Sequence, residues 1–195
     1  MDKLLEKYND YMRIIDCKAE YELDNGKTIE FRYRKENFAH LLGLHKLKDI
    51  QLIQFWQDKN NRTVNLNTVI RKIRNSSFTD AIVCSSVFFP QIKERYNNFS
   101  YDNLTTLNYT DVVIDFNPLL INSKLKSDYI LFEEKSGEYN HMSIAQDAKS
   151  GNRYVESFFH EMSNKYIQGQ IIRKIKKFTL YDNNNAIIVS DSFAC

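Results

Sequence analysis

The sequence predicts an α+β protein, with N-terminal helices and a β-hairpin packed on a C-terminal antiparallel sheet of about four strands. Three observations carry this. Apolar residues recur at three- and four-residue spacing through much of the first 110 positions. One Asn25-Gly26 pair sits between two alternating runs. Beyond residue 110, short β-branched and aromatic runs follow one another with turn residues between them. Helices first and strands afterwards is the α+β order.

Leu4, Leu5, Tyr8, Tyr11, Met12 and Ile15 define an amphipathic helix. Asn25-Gly26 predicts strands on either side, joined by a type I′ turn whose two central residues both need positive φ. A helix starts near Glu36 with Asn37 as N-cap and runs through Phe38 to Leu47, "FAHLLGLHKL". Residues 49–56 fit a helix or a short strand. Two helices meet at Ser76 and Ser77, the second capped by Thr79 and restarted by Pro90. "SYDNLTTLNY" adds a further helical turn. Strands follow at "DVVIDF", "DYILFEEK", "YNHMSIAQD" and "NRYVESFFHEM", broken at Ser136-Gly137 and Ser150-Gly151. Two last strand-like runs flank Asp182 to Asn185, although Ile167 to Ile175 also fits a helix.

At 195 residues one domain over 1–195 is expected, 1–110 mainly helical and 111–195 strand-rich. Hydrophobic residues at 43% and charged residues at 27% are ordinary globular usage and exclude general disorder. A net charge of +2 is too small to imply nucleic acid by itself, so that inference must rest on local clusters. Cys17, Cys84 and Cys195 form no CxxC pair, which argues against a disulfide framework or a zinc site and for a reducing cytoplasm. No apolar run approaches a membrane span, and the charged N-terminus does not read as an export signal.

Chemistry is sought first at the histidines, whose unperturbed pKa lies near neutrality. On a continuous helix His45 falls with Phe38, Leu41 and Leu42, while His40 falls with Gly43, Leu44 and Leu47, so the two rings face different spaces. A glycine inside a helix costs about 1 kcal/mol relative to alanine and signals a close neighbour. His40 then suits an acid or base in a cleft beside Gly43, and both histidines equally suit packed interior positions. Alternation sets His141, Ser143 and Ala145 on one face of their strand. It sets Ser157 and Phe159 opposite Phe158 and His160. No GxSxG elbow, HExxH or DxD pair is present, so no metal and no cofactor is expected.

Basic residues cluster at Arg71, Lys72 and Arg74, and again at Arg173, Lys174, Lys176 and Lys177 among Tyr154, Phe158, Phe159, Tyr166 and Phe178. Cations interleaved with rings suit single-stranded nucleic acid; lysines that protect a sheet edge give the same pattern.

The stretch "F-x-HLLGLHK" at Phe38 to Lys46 follows a hairpin, with "Y-x-x-SFFHE" at Tyr154 to Glu161 and "KYIQGQ" at Lys165 to Gln170 later in the chain. Together they resemble the phage and mobile-element branch of the Barnase-EndoU-colicin-RelE (BECR) nuclease superfamily. That resemblance implies a metal-independent ribonuclease with helices on a four-stranded antiparallel sheet. It implies His40 as the family histidine, with His45 as the other candidate, and Ser157 as a strand hydroxyl. Tyr166 and Gln170 become cleft residues and Lys135 a cationic group. The chemistry is 2′-hydroxyl attack on the adjacent phosphate with an acid at the leaving 5′-oxygen, which requires RNA. Lys135, Arg173 and Ser157 would meet the developing charge. The expected partners are RNA and a neutralising or host protein, as befits a toxin or conflict effector in the cytoplasm. The alternative is a catalytically silent RNA- or protein-binding module on the same fold, including an inhibitor of a host system.

Overall fold

The computed structural model describes residues 2–61, 63–105 and 109–193. Its strands are β1 (Lys18–Leu23), β2 (Thr28–Arg32), β3 (Asp111–Ile114), β4 (Tyr129–Lys135), β5 (Glu138–Gln146), β6 (Arg153–Glu161), β7 (Ile171–Tyr181) and β8 (Ile187–Ser192). Residues 49–56, which fit a helix or a short strand, form a helix from Gln51 onward; the other strand-like runs are strands, but they do not make a four-stranded antiparallel sheet with a separate hairpin. Seven close into a mixed barrel in the order β1–β2–β6–β5–β4–β3–β7 and back to β1, with β8 added outside on β7. The hairpin is part of the ring because β1 pairs with β7, Tyr21 opposite Phe178 and Ala19 opposite Leu180. At 11 residues β7 is long enough to serve β3 with Ile171 to Lys174 and β1 with the rest. The ring closes between β2 and β6 through one parallel pair, Arg32 with Tyr154.

Period-two alternation explains the interior. Ala19, Tyr21 and Leu23 of β1, Ile29 and Phe31 of β2, Val112, Leu131, Met142, Phe158, Ile175 and Phe178 all point inward and are buried in a single cluster. The opposite faces of β1 and β2 carry Glu20, Glu22, Glu30 and Arg32. The hairpin turn also differs from the sequence reading. Only Gly26 has positive φ, +78°, and the Gly26 N–H donates to Leu23 O while Asn25 Oδ1 accepts from Lys27 N. Glycine here follows the tight turn as a left-handed bulge residue, and Asn25 contributes its side chain rather than its backbone.

The helices are α1 (Lys3–Met12), α2 (Phe38–Leu41), α3 (Gln51–Gln57), α4 (Leu66–Arg74), α5 (Asp80–Ser85), α6 (Lys93–Asn98) and α7 (Tyr101–Thr105). Asp2 caps α1 by accepting from Leu5 N and, with its other oxygen, accepts from Asp80 N at the start of α5. Thr79 precedes α5 without a side-chain cap. Pro90 lies in a short 3₁₀ turn, Phe89–Gln91, from which α6 restarts. A chain of ring contacts, Tyr11–Phe38–Phe99–Phe158, joins helices to barrel. Burying each such side chain contributes about 1.5–3 kcal/mol.

A smaller apolar layer lies on the outer face of β3, β4 and β5. Val113, Phe116, Ile130, Phe132 and Tyr139 are covered there by Ile121, Leu125, Tyr166 and Ile167. The two covering segments are tied together by Gln170, whose amide accepts from Asn117 N and donates to Asn117 O, both at 3.0 Å. Among the described residues no helix is long and apolar enough to cross a membrane. Cys17 is a buried free thiol and Cys84 an exposed one, while Cys195 lies outside the described residues.

Candidate active site

Beyond Arg32 the chain does not continue as a strand beside β6. It coils into a short 3₁₀ turn and α2, and α2 and α6 pack against β6 where the barrel ladder stops. Asn37 holds this junction. It makes no N-cap bond; its Nδ2 donates to Val155 O of β6 at 2.6 Å.

The helix expected from Phe38 to Leu47 ends at Leu41. Gly43 has φ +84°, the left-handed conformation that terminates a helix, and Leu44–Lys46 follow as a 3₁₀ turn. This reverses the expectation that the two histidines face apart. The turn folds His45 back over His40, and the rings stack with centroids 4.3 Å apart and planes 15° from parallel. The close neighbour signalled by Gly43 is α6 and the residue before it: a Cβ at position 43 would lie 2.8 Å from Ile92 Cγ2 and 3.2 Å from Arg95 Cδ.

Arg95 is the hub of the site. Its guanidinium approaches His40 O at 3.5 Å. Burial lowers its pKa to about 10, which leaves it charged at neutral pH, and it faces Tyr166 electrostatically. Burial and then His40 and Arg95 push the His45 pKa down to about 4, and Nδ1 of His45 is buried without a hydrogen-bond partner. His40, exposed to solvent, is also lowered, first by desolvation and then by Arg95, with Glu156 pulling the other way. Lys46 is lowered by burial and by Arg95, against Glu161. Burial and Glu161 raise Tyr166, which keeps its proton. Both imidazoles are therefore neutral at pH 7 beside a fixed positive charge. That combination favours a proton acceptor next to an anion site.

Ser157 and Phe159 lie on the outward face of β6, opposite Phe158 and His160, as the alternation predicts. Tyr166 packs on Phe159 with centroids 4.7 Å apart, so it lies on the same side of β6 as Ser157. Ser157 is nearly buried, and its carbonyl accepts from Ser143 Oγ at 3.4 Å. A groove of about 340 Å³ opens beside Phe159, with Lys46, Glu94, Arg95, His160 and Glu161 in its walls. His40, His45 and Tyr166 are thus gathered around Arg95, and Ser157 lies on the face of β6 that carries Phe159.

The other candidates lie elsewhere. Lys135, at the end of β4, lines a separate cavity with His160. Gln170 spends its amide on Asn117. Arg173, Lys174, Lys176 and Lys177 are exposed on β7, with β2 and β1 between them and β6 one way round the ring and β5, β4 and β3 the other. Lys174 is paired with Asp111 at 2.6 Å, and the neighbouring rings of Phe158 and Phe178 point into the barrel. Arg71, Lys72 and Arg74 lie in the last turn of α4. Arg95, Lys46, Glu156 and Glu161 escape sequence reasoning; "KERYNNF" reads as a surface helix, and Gly43 alone signals a close partner. His141 is fully buried between Phe159 and Tyr139, with neither ring nitrogen hydrogen-bonded. Among the described residues no group of three or more histidine, cysteine or carboxylate side chains is arranged to hold a metal.

A family model described as PBECR4, phage-Barnase-EndoU-ColicinE5/D-RelE like nuclease4, matches residues 3–190. The chain belongs to this family. It is therefore a nuclease of the BECR type, as the histidine, strand and tail motifs imply. In this PBECR4 chain the match runs from α1 into β8 and takes in every element of the groove. Comparison with curated proteins and with solved structures gives no match.

Proposed function

We propose that the chain is a metal-independent endoribonuclease that cleaves by 2′-hydroxyl attack, and that His40, Arg95, Lys46 and Tyr166 carry the reaction. The observation that supports this most directly is the stacked His40–His45 pair held neutral against Arg95. His40 takes the proton of the ribose 2′-hydroxyl, the 2′-oxygen bonds to phosphorus, and the bond from phosphorus to the 5′-oxygen breaks. Tyr166 gives its proton to the departing 5′-oxygen and regains one from solvent, to which His40 releases the proton it took. Arg95 and Lys46 meet the charge on the non-bridging oxygens, which guanidinium and ammonium groups do in place of a bound cation. Ser157 offers a hydroxyl to the same oxygens. The phage origin in the family description fits a conflict effector acting on RNA in the cytoplasm of a host.

The test is incubation of the purified chain with total RNA, transfer RNA and ribosomes in EDTA. Products ending in 2′,3′-cyclic phosphate, lost in His40→Ala and blocked by a 2′-deoxy residue at the cleaved position, are expected. Intact RNA across that panel with the chain bound to it would overturn catalysis in favour of a silent binding module.

A further inference from the structure

A second cavity, of about 380 Å³, opens at the mouth of the barrel and shares His160 as a wall with the groove. Glu133 and Asn140, opposite each other on β4 and β5, form one side, and Asn98 of α6 and Asn103 of α7 form the other. Much of this polarity is already committed. Asn98 Nδ2 donates to Glu94 O, Asn103 Nδ2 donates to Asn98 O, and Asn140 Oδ1 is paired with His160 Nδ1 at 3.1 Å. What the described residues leave open is the carbonyl oxygen and one N–H on each of Asn98 and Asn103, the carboxylate of Glu133 and the amide N–H groups of Asn140. Among these groups Glu133 alone is charged and can only accept. Lys135 at the rim supplies a further donor.

We propose that this cavity is a nucleobase subsite selecting a base that carries an exocyclic amine over uracil, a reading that rests on the nuclease assignment of the adjoining groove. The groove sets Lys46 and Arg95 against Glu94 and Glu161, whereas this cavity sets Lys135 alone against Glu133 and Glu138, so the backbone belongs beside Lys46 and Arg95 and the base on the far side of His160. Carboxamide and carboxylate side chains are the groups that read base edges, and acceptors here meet an amino group. Uracil presents carbonyl oxygens to the same positions and leaves Glu133 facing an acceptor. His160, fixed by Asn140 and lying 3.5 Å from Glu138, holds the passage between the two cavities.

The test uses labelled 2′-fluoro hexanucleotides of adenine, cytosine or uracil, which bind without being cleaved, and reads affinity by fluorescence anisotropy. Adenine and cytosine hexamers are expected to bind about tenfold more tightly than uracil. Glu133→Gln should collapse that ratio, and Glu133→Asp, which keeps the charge but withdraws the oxygens, should narrow it. Equal or tighter binding of uracil, no binding of any hexamer, or a ratio that survives both variants would overturn the proposal. Because no cleavage is needed, a chain that discriminates between hexamers but leaves all RNA intact would refute the proposed reaction and leave the subsite standing.

Discussion

The imidazole of His45 lies 4.3 Å from that of His40 in a near-parallel stack, although five positions separate them in a stretch that reads as one helix. Two rings so placed cannot both carry a proton cheaply, and Arg95 adds to the penalty. The consequence is a base available at neutral pH. His40→Ala should lower kcat by about 10²- to 10⁴-fold. Because the folded pKa of His40 lies below its ordinary 6.5, kcat/KM should be flat from that value through neutrality, and its acid limb should fall only at more acid pH. A pH–rate profile of the wild type checks this, and a decline beginning above pH 7 would contradict it.

Arg95 acts on the histidines as a like charge, so removing it should raise their pKa values. In Arg95→Met the His45 titration, followed by NMR of the ring protons, should move up from about 4 toward 6.5. The same variant should lose about 10²-fold in cleavage through the missing guanidinium. An unmoved titration would mean that burial and His40 hold His45 neutral without Arg95.

Gly43 meets two demands at once. Alanine there would hold a left-handed backbone at a cost of about 1–2 kcal/mol. It would also press its Cβ against Ile92 Cγ2. Gly43→Ala should lower Tm by roughly 2–8 °C, read by calorimetry. An unchanged Tm would show that the turn is looser than its geometry implies.

His141 is buried with two unsatisfied nitrogens, and burial and nearby His160 push its pKa down to about 3. Neutral in both states above pH 6.5, it has no pH effect there. Below that, the unfolded chain binds a proton that the folded chain refuses, and stability falls by roughly 1.4 kcal/mol per pH unit. His141→Leu should match the wild type or exceed it in stability at pH 7 and lose less on acidification to pH 4. Urea melts at the two pH values measure both, and equal acid losses would refute the assignment.

Each strand was legible, because alternation and turn residues are local signals. How the strands join was not: that β1 pairs with β7 depends on which distant edges meet, and no period in the sequence encodes it. The site divides the same way. His40, Ser157 and Tyr166 stand in motifs that can be read, while Arg95 became visible only through the glycine it crowds. The wrong faces assigned to His40 and His45 came from extending a 3.6-residue period across Gly43, whose left-handed φ resets the chain direction.

The pairing of Tyr21 with Phe178 also sets a schedule. On a ribosome the hairpin emerges before β7 and must wait, one edge unmatched, until the chain as far as Phe178 has been made. His40 and His45 are made in that interval before the strand bearing Ser157 and the segment bearing Tyr166. Until β7 pairs with β1 the proposed site is incomplete, and long-range closure of this kind is slow to form.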